Sequence, residues 1–170
     1  MSAIIPPKPR VPTGGRLRIA IVAAKFNQQF TDALVENVVE EIEELAVNAR
    51  LDLIRVPGAF EIPVVVKTII DIEKPDCVIA LGCIIRGGTS HADLVATSVT
   101  EALQKIAVET NTPVIHEVLL VEDEKQAYAR CIGTKLNRGR EAARSALDVV
   151  EIMNEVRRAN QSLRLHPSNG

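Results

Sequence analysis

An alternation constrains this chain more than any other feature. Short β-like segments recur four times, LRIAIVAA (17–24), LDLIRV (51–56), CVIALGCII (77–85) and PVIHEVLL (113–120), and a stretch with helical spacing follows each. The first is an unbroken apolar run, as expected of a strand covered on both faces. After it, Leu34, Val35, Val38, Val39, Ile42 and Leu45 recur at helical intervals over 31–46. Residues 63–72 read as a second helix with Pro63 in its first turn. Val95, Val99, Leu103 and Ala107 mark a long third helix, and a short fourth one ends near Arg130. Ala142, Ala146, Val149, Val150 and Met153 mark the fifth. Helix-length crossovers join strands that pair in parallel, so the spacing predicts an α/β, three-layer sandwich with a four-stranded parallel sheet between helices.

The 170 residues suffice for one domain with a substantial core. With aromatics at 2%, that core is aliphatic, and the aromatics Phe26, Phe30, Phe60 and Tyr128 are informative by scarcity. Residues 1–16, with four prolines and a Gly-Gly, read as an extended arm; 17–157 is the domain, and 158–170 is a polar tail expected to fray. A net charge of −2 gives no electrostatic reason for a nucleic-acid or membrane partner. The three cysteines form no paired or metal-binding spacing, which fits a reducing compartment. With no signal peptide or apolar span in view, a cytoplasmic protein is expected.

In parallel sheets, ligands bind outside the carboxyl ends of the strands. That rule selects AAKFN, VPGAFEIP, IIRGGTSH and the end of PVIHEVLL, so Phe26 and Phe60 fall where a planar ligand is expected. In IIRGGTSH, Gly87 and Gly88 allow close backbone approach, and Ser90 is the expected N-cap, with Asp93 in the reciprocal position. A helix start of this kind favours an anion, and His91 beside it is a candidate for proton transfer. A plain turn with a capped helix and a surface histidine reads the same residues equally well. Farther on, Asn137 is the expected N-cap of the last helix, which puts Arg138 and Arg140 in its first turn. Basic side chains there oppose the helix dipole by about 0.3–1 kcal/mol each, so either a nearby anion offsets the cost or exposure screens it. At the start of the second helix, Glu61 is stabilising on structural grounds alone.

VAAKFN, VPGAFEIPVVVK, ALGCIIRGGTSH and ARCIGTKLNRGREAA occur in the order and spacing of the lumazine synthase family, and the resemblance spans about 17–153. It implies a flavodoxin-like topology and a condensation of 5-amino-6-ribitylaminouracil with 3,4-dihydroxy-2-butanone 4-phosphate. The products are 6,7-dimethyl-8-ribityllumazine, phosphate and water, with no cofactor and no metal. By position, Phe26 stacks on the pyrimidine, and Ala59, Phe60, Glu61 and Ile62 line its pocket. Gly88 and Thr89 hold the phosphate, with Arg130 supplied by a neighbouring subunit, and His91 transfers protons. The family builds its sites between the subunits of a pentamer, and some members assemble a sixty-subunit shell.

The chain departs from the family in places. Arg138 stands for a usual lysine and His116 for an aromatic near the pyrimidine. Ala92 and Leu94 replace aromatics after the histidine, and LLVEDE replaces a threonine-rich stretch. These departures leave an alternative of a different class, a non-catalytic flavin- or lumazine-binding assembly protein on the same fold. A receiver-type signalling domain needs acidic residues after the first strand, where this chain has Lys25.

Overall fold

A computed structural model describes residues 7–9 and 16–165. Strands β1 (Arg18–Ala24), β2 (Arg50–Val56), β3 (Cys77–Ile85) and β4 (Val114–Val121) alternate with helices α1 (Gln28–Leu45), α2 (Ile62–Glu73), α3 (His91–Thr110), α4 (Glu124–Cys131) and α5 (Arg138–Leu165). A single 3-10 turn, Ala59–Glu61, precedes α2. The sheet is parallel throughout, in the order β2-β1-β3-β4, so the topology is flavodoxin-like. Ile19 marks the register at the centre, paired with Leu51 on one side and Cys77 on the other.

Alternation along the strands sends side chains to two cores. Ile19, Ile21, Ile79, Leu81 and Leu119 pack with Leu34, Val38, Ala142 and Leu147 of α1 and α5. Val22, Val78, Ala80 and Val118 pack with Ile62, Val66, Val99 and Leu103 of α2 and α3. Each fully buried aliphatic contributes about 1.5–3 kcal/mol, so both layers are held mainly by these faces. Among the described residues, Phe30 is the only aromatic in either core, so the aliphatic core expected from composition is the one formed.

Helix limits differ from expectation in two places. α1 begins at Gln28, three residues early, because Asn27 takes a left-handed conformation (φ 55°) and its carbonyl already accepts from Phe30 and Thr31. The polar tail is helical up to Leu165, since 158–165 contain good helix formers and no glycine or proline. Of the expected arm, residues 7–9 carry no helix or strand and Lys8 pairs with Glu44 of α1; 1–6 and 10–15, like 166–170, lie outside the described residues. Among the described residues no helix is long and apolar enough to cross a membrane.

Where α5 starts, it lies hard against α1. A Cβ added at Gly139 would stand 2.7 Å from Asn37 Cβ and 2.8 Å from the Leu34 carbonyl oxygen. Asn137 caps this helix as expected, its side-chain oxygen accepting from the Arg140 amide at 3.0 Å.

Candidate active site

From β1 the chain crosses to β2 on one side and from β3 to β4 on the other, so the order reverses between β1 and β3, and the crevice lies there. A cavity of about 300 Å³ opens there, lined by Phe26 after β1, Gly58 to Glu61 after β2, Cys83 to Ile85 of β3, and His91, Ala92 and Val95 of α3.

Backbone hydrogen bonds fix its floor. The amides of Lys25 and Phe26 donate to the carbonyls of Val56 (2.8 Å) and Pro57 (3.1 Å), tying the first loop to the second. Asn27 Nδ2 donates to the Cys83 carbonyl at 2.8 Å, tying it to β3. That bond uses the side chain a helix start would otherwise employ as its cap, and it directs Phe26 to the opening. Phe26 and Phe60 are 71% and 61% exposed, an unfavourable placement for two of three phenylalanines unless a ligand covers them. The Glu61 carboxylate turns back to accept from the Gly58 amide at 2.9 Å, so its structural role is occupied as the sequence implied. Ile62 is wholly buried in the core beneath and does not line the cavity.

His91 is the first residue of α3 and lines the cavity beside the two phenylalanines. The expected capping box is not formed. Ser90 has helical angles and no side-chain cap bond, and Asp93 instead accepts from Arg86 at 2.6 and 3.1 Å. Arg86 also pairs with Glu122 after β4, so one guanidinium ties the first turn of α3 to the end of β4. Asp93 therefore neither caps α3 nor orients His91; competition for its carboxylate was won by a cation that only the fold brings near. The turn is exposed, and a Cβ at Gly87 or Gly88 would meet nothing within 4 Å. Nothing within the chain demands glycine there, and the α3 amides are left without a side-chain cap.

His116, Arg130 and Arg138 stand elsewhere. They line a second cavity of about 710 Å³ along the free edge of β4, with Thr100 and Glu101 of α3 on one side and Glu141 of α5 on the other. The two cavities share no lining residue. Thr100 gives its one hydroxyl proton to the Ala96 carbonyl (2.8 Å), so His116 Nε2 carries the hydrogen in their 2.9 Å contact. Burial lowers the pKa of this imidazole below the ordinary histidine value. Arg130, in the last turn of α4, donates to the Gln126 carbonyl at 3.4 Å, and among the described residues no carboxylate forms a salt bridge with it.

Arg138 is 6% exposed and pairs with Glu141. Arg144 binds the buried Glu41 at 2.6 Å, and Arg140 approaches that carboxylate at 3.9 Å. Exposure does not explain Arg138, for which the protein supplies the anion itself, whereas Arg140 is partly exposed and also faces Glu41. Sequence reasoning missed Glu117, Glu141 and Arg86. Glu117 carried a signal, a lone carboxylate in an apolar strand.

A family model described as 6,7-dimethyl-8-ribityllumazine synthase matches residues 16–154. A protein of that name from Thermococcus kodakarensis is 39% identical over 144 residues, 85% of this chain and 91% of its own length. The one from Halorhodospira halophila is 42% identical over 141 residues, 82% and 90% of the two chains. Another, from Methylibium petroleiphilum, is 40% identical over 144 residues, 84% and 88%.

Proposed function

The chain belongs to the 6,7-dimethyl-8-ribityllumazine synthase family and is a transferase, and on that premise we propose that it makes the lumazine of riboflavin biosynthesis. The substrates are 5-amino-6-ribitylaminouracil and 3,4-dihydroxy-2-butanone 4-phosphate; the products are 6,7-dimethyl-8-ribityllumazine, phosphate and water. One observation carries the reading: His91 shares a strand-end cavity with two exposed phenylalanines, beside an uncapped helix start.

In this scheme Phe26 and Phe60 cover the pyrimidine, with Ala59 and Glu61 along its edge. The phosphate lies against Gly88, Thr89 and the α3 amides, where the helix dipole favours negative charge. The substrate amine attacks the ketone to give an imine and water. Phosphate then leaves by elimination, which requires a proton taken from carbon while the departing dianion is stabilised. His91 takes that proton, the enol left by elimination becomes a second carbonyl, and attack on it by the ribityl-bearing nitrogen closes the ring with loss of another water. Holding two substrates in register supplies much of the rate.

We further propose that the site is completed between copies of the chain. Arg130, Arg138 and His116 share no cavity with His91 in one chain, and they lie along the free edge of β4, open to a neighbour. A homopentamer fits this arrangement, with the sixty-subunit shell as a larger form, in the cytoplasm and without metal or cofactor.

The test mixes the purified chain with both substrates and follows lumazine fluorescence against His91→Ala and the uncatalysed background. Turnover well above background, and slowed in the variant, is expected. A correctly folded oligomer no faster than background would sink the catalytic reading and leave a flavin- or lumazine-binding assembly protein.

A further inference from the structure

The cavity at the β4 edge holds one group the scheme above does not use. Glu117 stands mid-strand in the row Ile115, Glu117, Leu119, Val121, whose apolar members pack toward α1 and α5. Ionisable groups surround it on several elements: Arg138 and Glu141 of α5, Arg130 and Cys131 of α4, Cys83 of β3, and Glu101 of α3 at the cavity wall. The charges are unevenly matched. Glu141 already pairs with Arg138, while Arg130 has no carboxylate partner among the described residues.

A second carboxylate in this position faces poor solvation and a like charge. Burial first, and then the Glu141 carboxylate, push the Glu117 carboxyl up to about 8 against the pull of Arg138. At neutral pH it is mostly a carboxylic acid with one O–H to donate. A neutral acid lining the same cavity as a guanidinium with no carboxylate partner among the described residues suits a tetrahedral oxyanion, because it offers a donor and adds no repulsion.

We propose that Glu117 binds the anion of this cavity as a neutral carboxylic acid, donating its O–H to an oxyanion oxygen beside the Arg130 guanidinium, and that its ionisation expels the anion. The ligand class is a phosphate or phosphate monoester. This rests on the reading above, in which the β4 edge of one copy brings Arg130 to the phosphate held at Gly88 and Thr89 of the next.

Sulfate is the probe, since its charge does not change between pH 7 and 9. Its affinity is measured by calorimetry on the assembled wild type at both pH values. If the ionised form does not bind, a group titrating near 8 weakens sulfate about tenfold across this interval. Glu117→Gln keeps a donor and removes the titration, so it binds sulfate at both pH values about as tightly as wild type at pH 7. Glu117→Leu loses the donor and binds several-fold more weakly than Glu117→Gln at both. The variants also separate Glu117 from Cys83, whose thiol is lowered by a hydrogen bond from Cys131.

A wild type that binds no sulfate, or binds it equally at both pH values, overturns the inference. So does a Glu117→Gln protein that keeps the full pH dependence, or a Glu117→Leu protein as tight as it. Should the variants fail to assemble, the wild type decides alone: sulfate must raise the pH at which its carboxylic-acid infrared band disappears, and an unmoved band refutes the idea. Turnover is assayed on the same preparations. The expected sulfate pattern without turnover sinks the enzymatic reading only; turnover with pH-independent sulfate binding sinks this one only.

Discussion

Gly139→Ala sets two effects of opposite sign against each other. Replacing a helical glycine by alanine favours the helix by up to about 1 kcal/mol. Against that, the new methyl would stand 2.7 Å from Asn37 Cβ and 2.8 Å from the Leu34 carbonyl oxygen. Carbon atoms rest at about 3.5–4.0 Å, so α1 and α5 must separate by roughly 1 Å or the helix must tilt. No rotamer change relieves the second contact, because Leu34 O is backbone in the middle of α1. Overpacking of this kind costs about 1–3 kcal/mol, and a backbone clash belongs at the upper end. The net expectation is destabilisation by about 1–2 kcal/mol. Urea unfolding reads it as a lower midpoint at unchanged slope, with protomer concentration fixed because the proposed assembly would add to apparent stability. Gly87→Ala is the control, since its Cβ would meet nothing within 4 Å, and its change should stay within about 0.5 kcal/mol. A Gly139→Ala protein as stable as wild type would refute the close-contact reasoning and leave helix propensity in charge.

Phe26→Ala and Phe60→Ala should leave the unfolding midpoint nearly unchanged, because both rings are mostly exposed, yet raise KM for the proposed pyrimidine substrate about tenfold. A large loss of stability with unchanged KM would mean that the rings are structural. Glu117 predicts a pH dependence of stability as well. Its carboxyl lies at about 8 in the folded chain against an ordinary 4.5, so between those values the folded state holds a proton the unfolded state has lost. The Glu117 contribution therefore falls as pH rises through that window and is lowest above pH 8. Relative to wild type, Glu117→Gln should gain on the order of 1–2 kcal/mol between pH 4 and pH 9, a value reduced from the full shift because water relaxes around an open cavity. A stability difference that does not change with pH would show that the group is not perturbed.

Much of this was legible locally. The apolar runs gave the strands, the 3.6-residue spacing gave the helix faces, and Asn137 announced the start of α5, because period and capping act within a few residues. The positions of Phe26, Phe60 and His91 at strand ends followed from the parallel sheet, which places every βα loop at one rim. The family motifs then supplied the chemistry expected of those residues.

The tertiary structure decided which of these residues meet. Spacing could not tell that Arg86 draws Asp93 away from Ser90, that Ile62 belongs to the core, or that Glu41 and Glu141 answer the arginines of α5. These outcomes depend on groups far apart in the chain competing for one partner. Nor could it separate the His91 cavity from the Arg130 and Arg138 cavity, which depends on which edge of the sheet β4 occupies. The state of Glu117 is the clearest case. Its place in the strand can be read from the sequence, but its proton is set by burial and by charges on other elements, and only the packed chain brings those together.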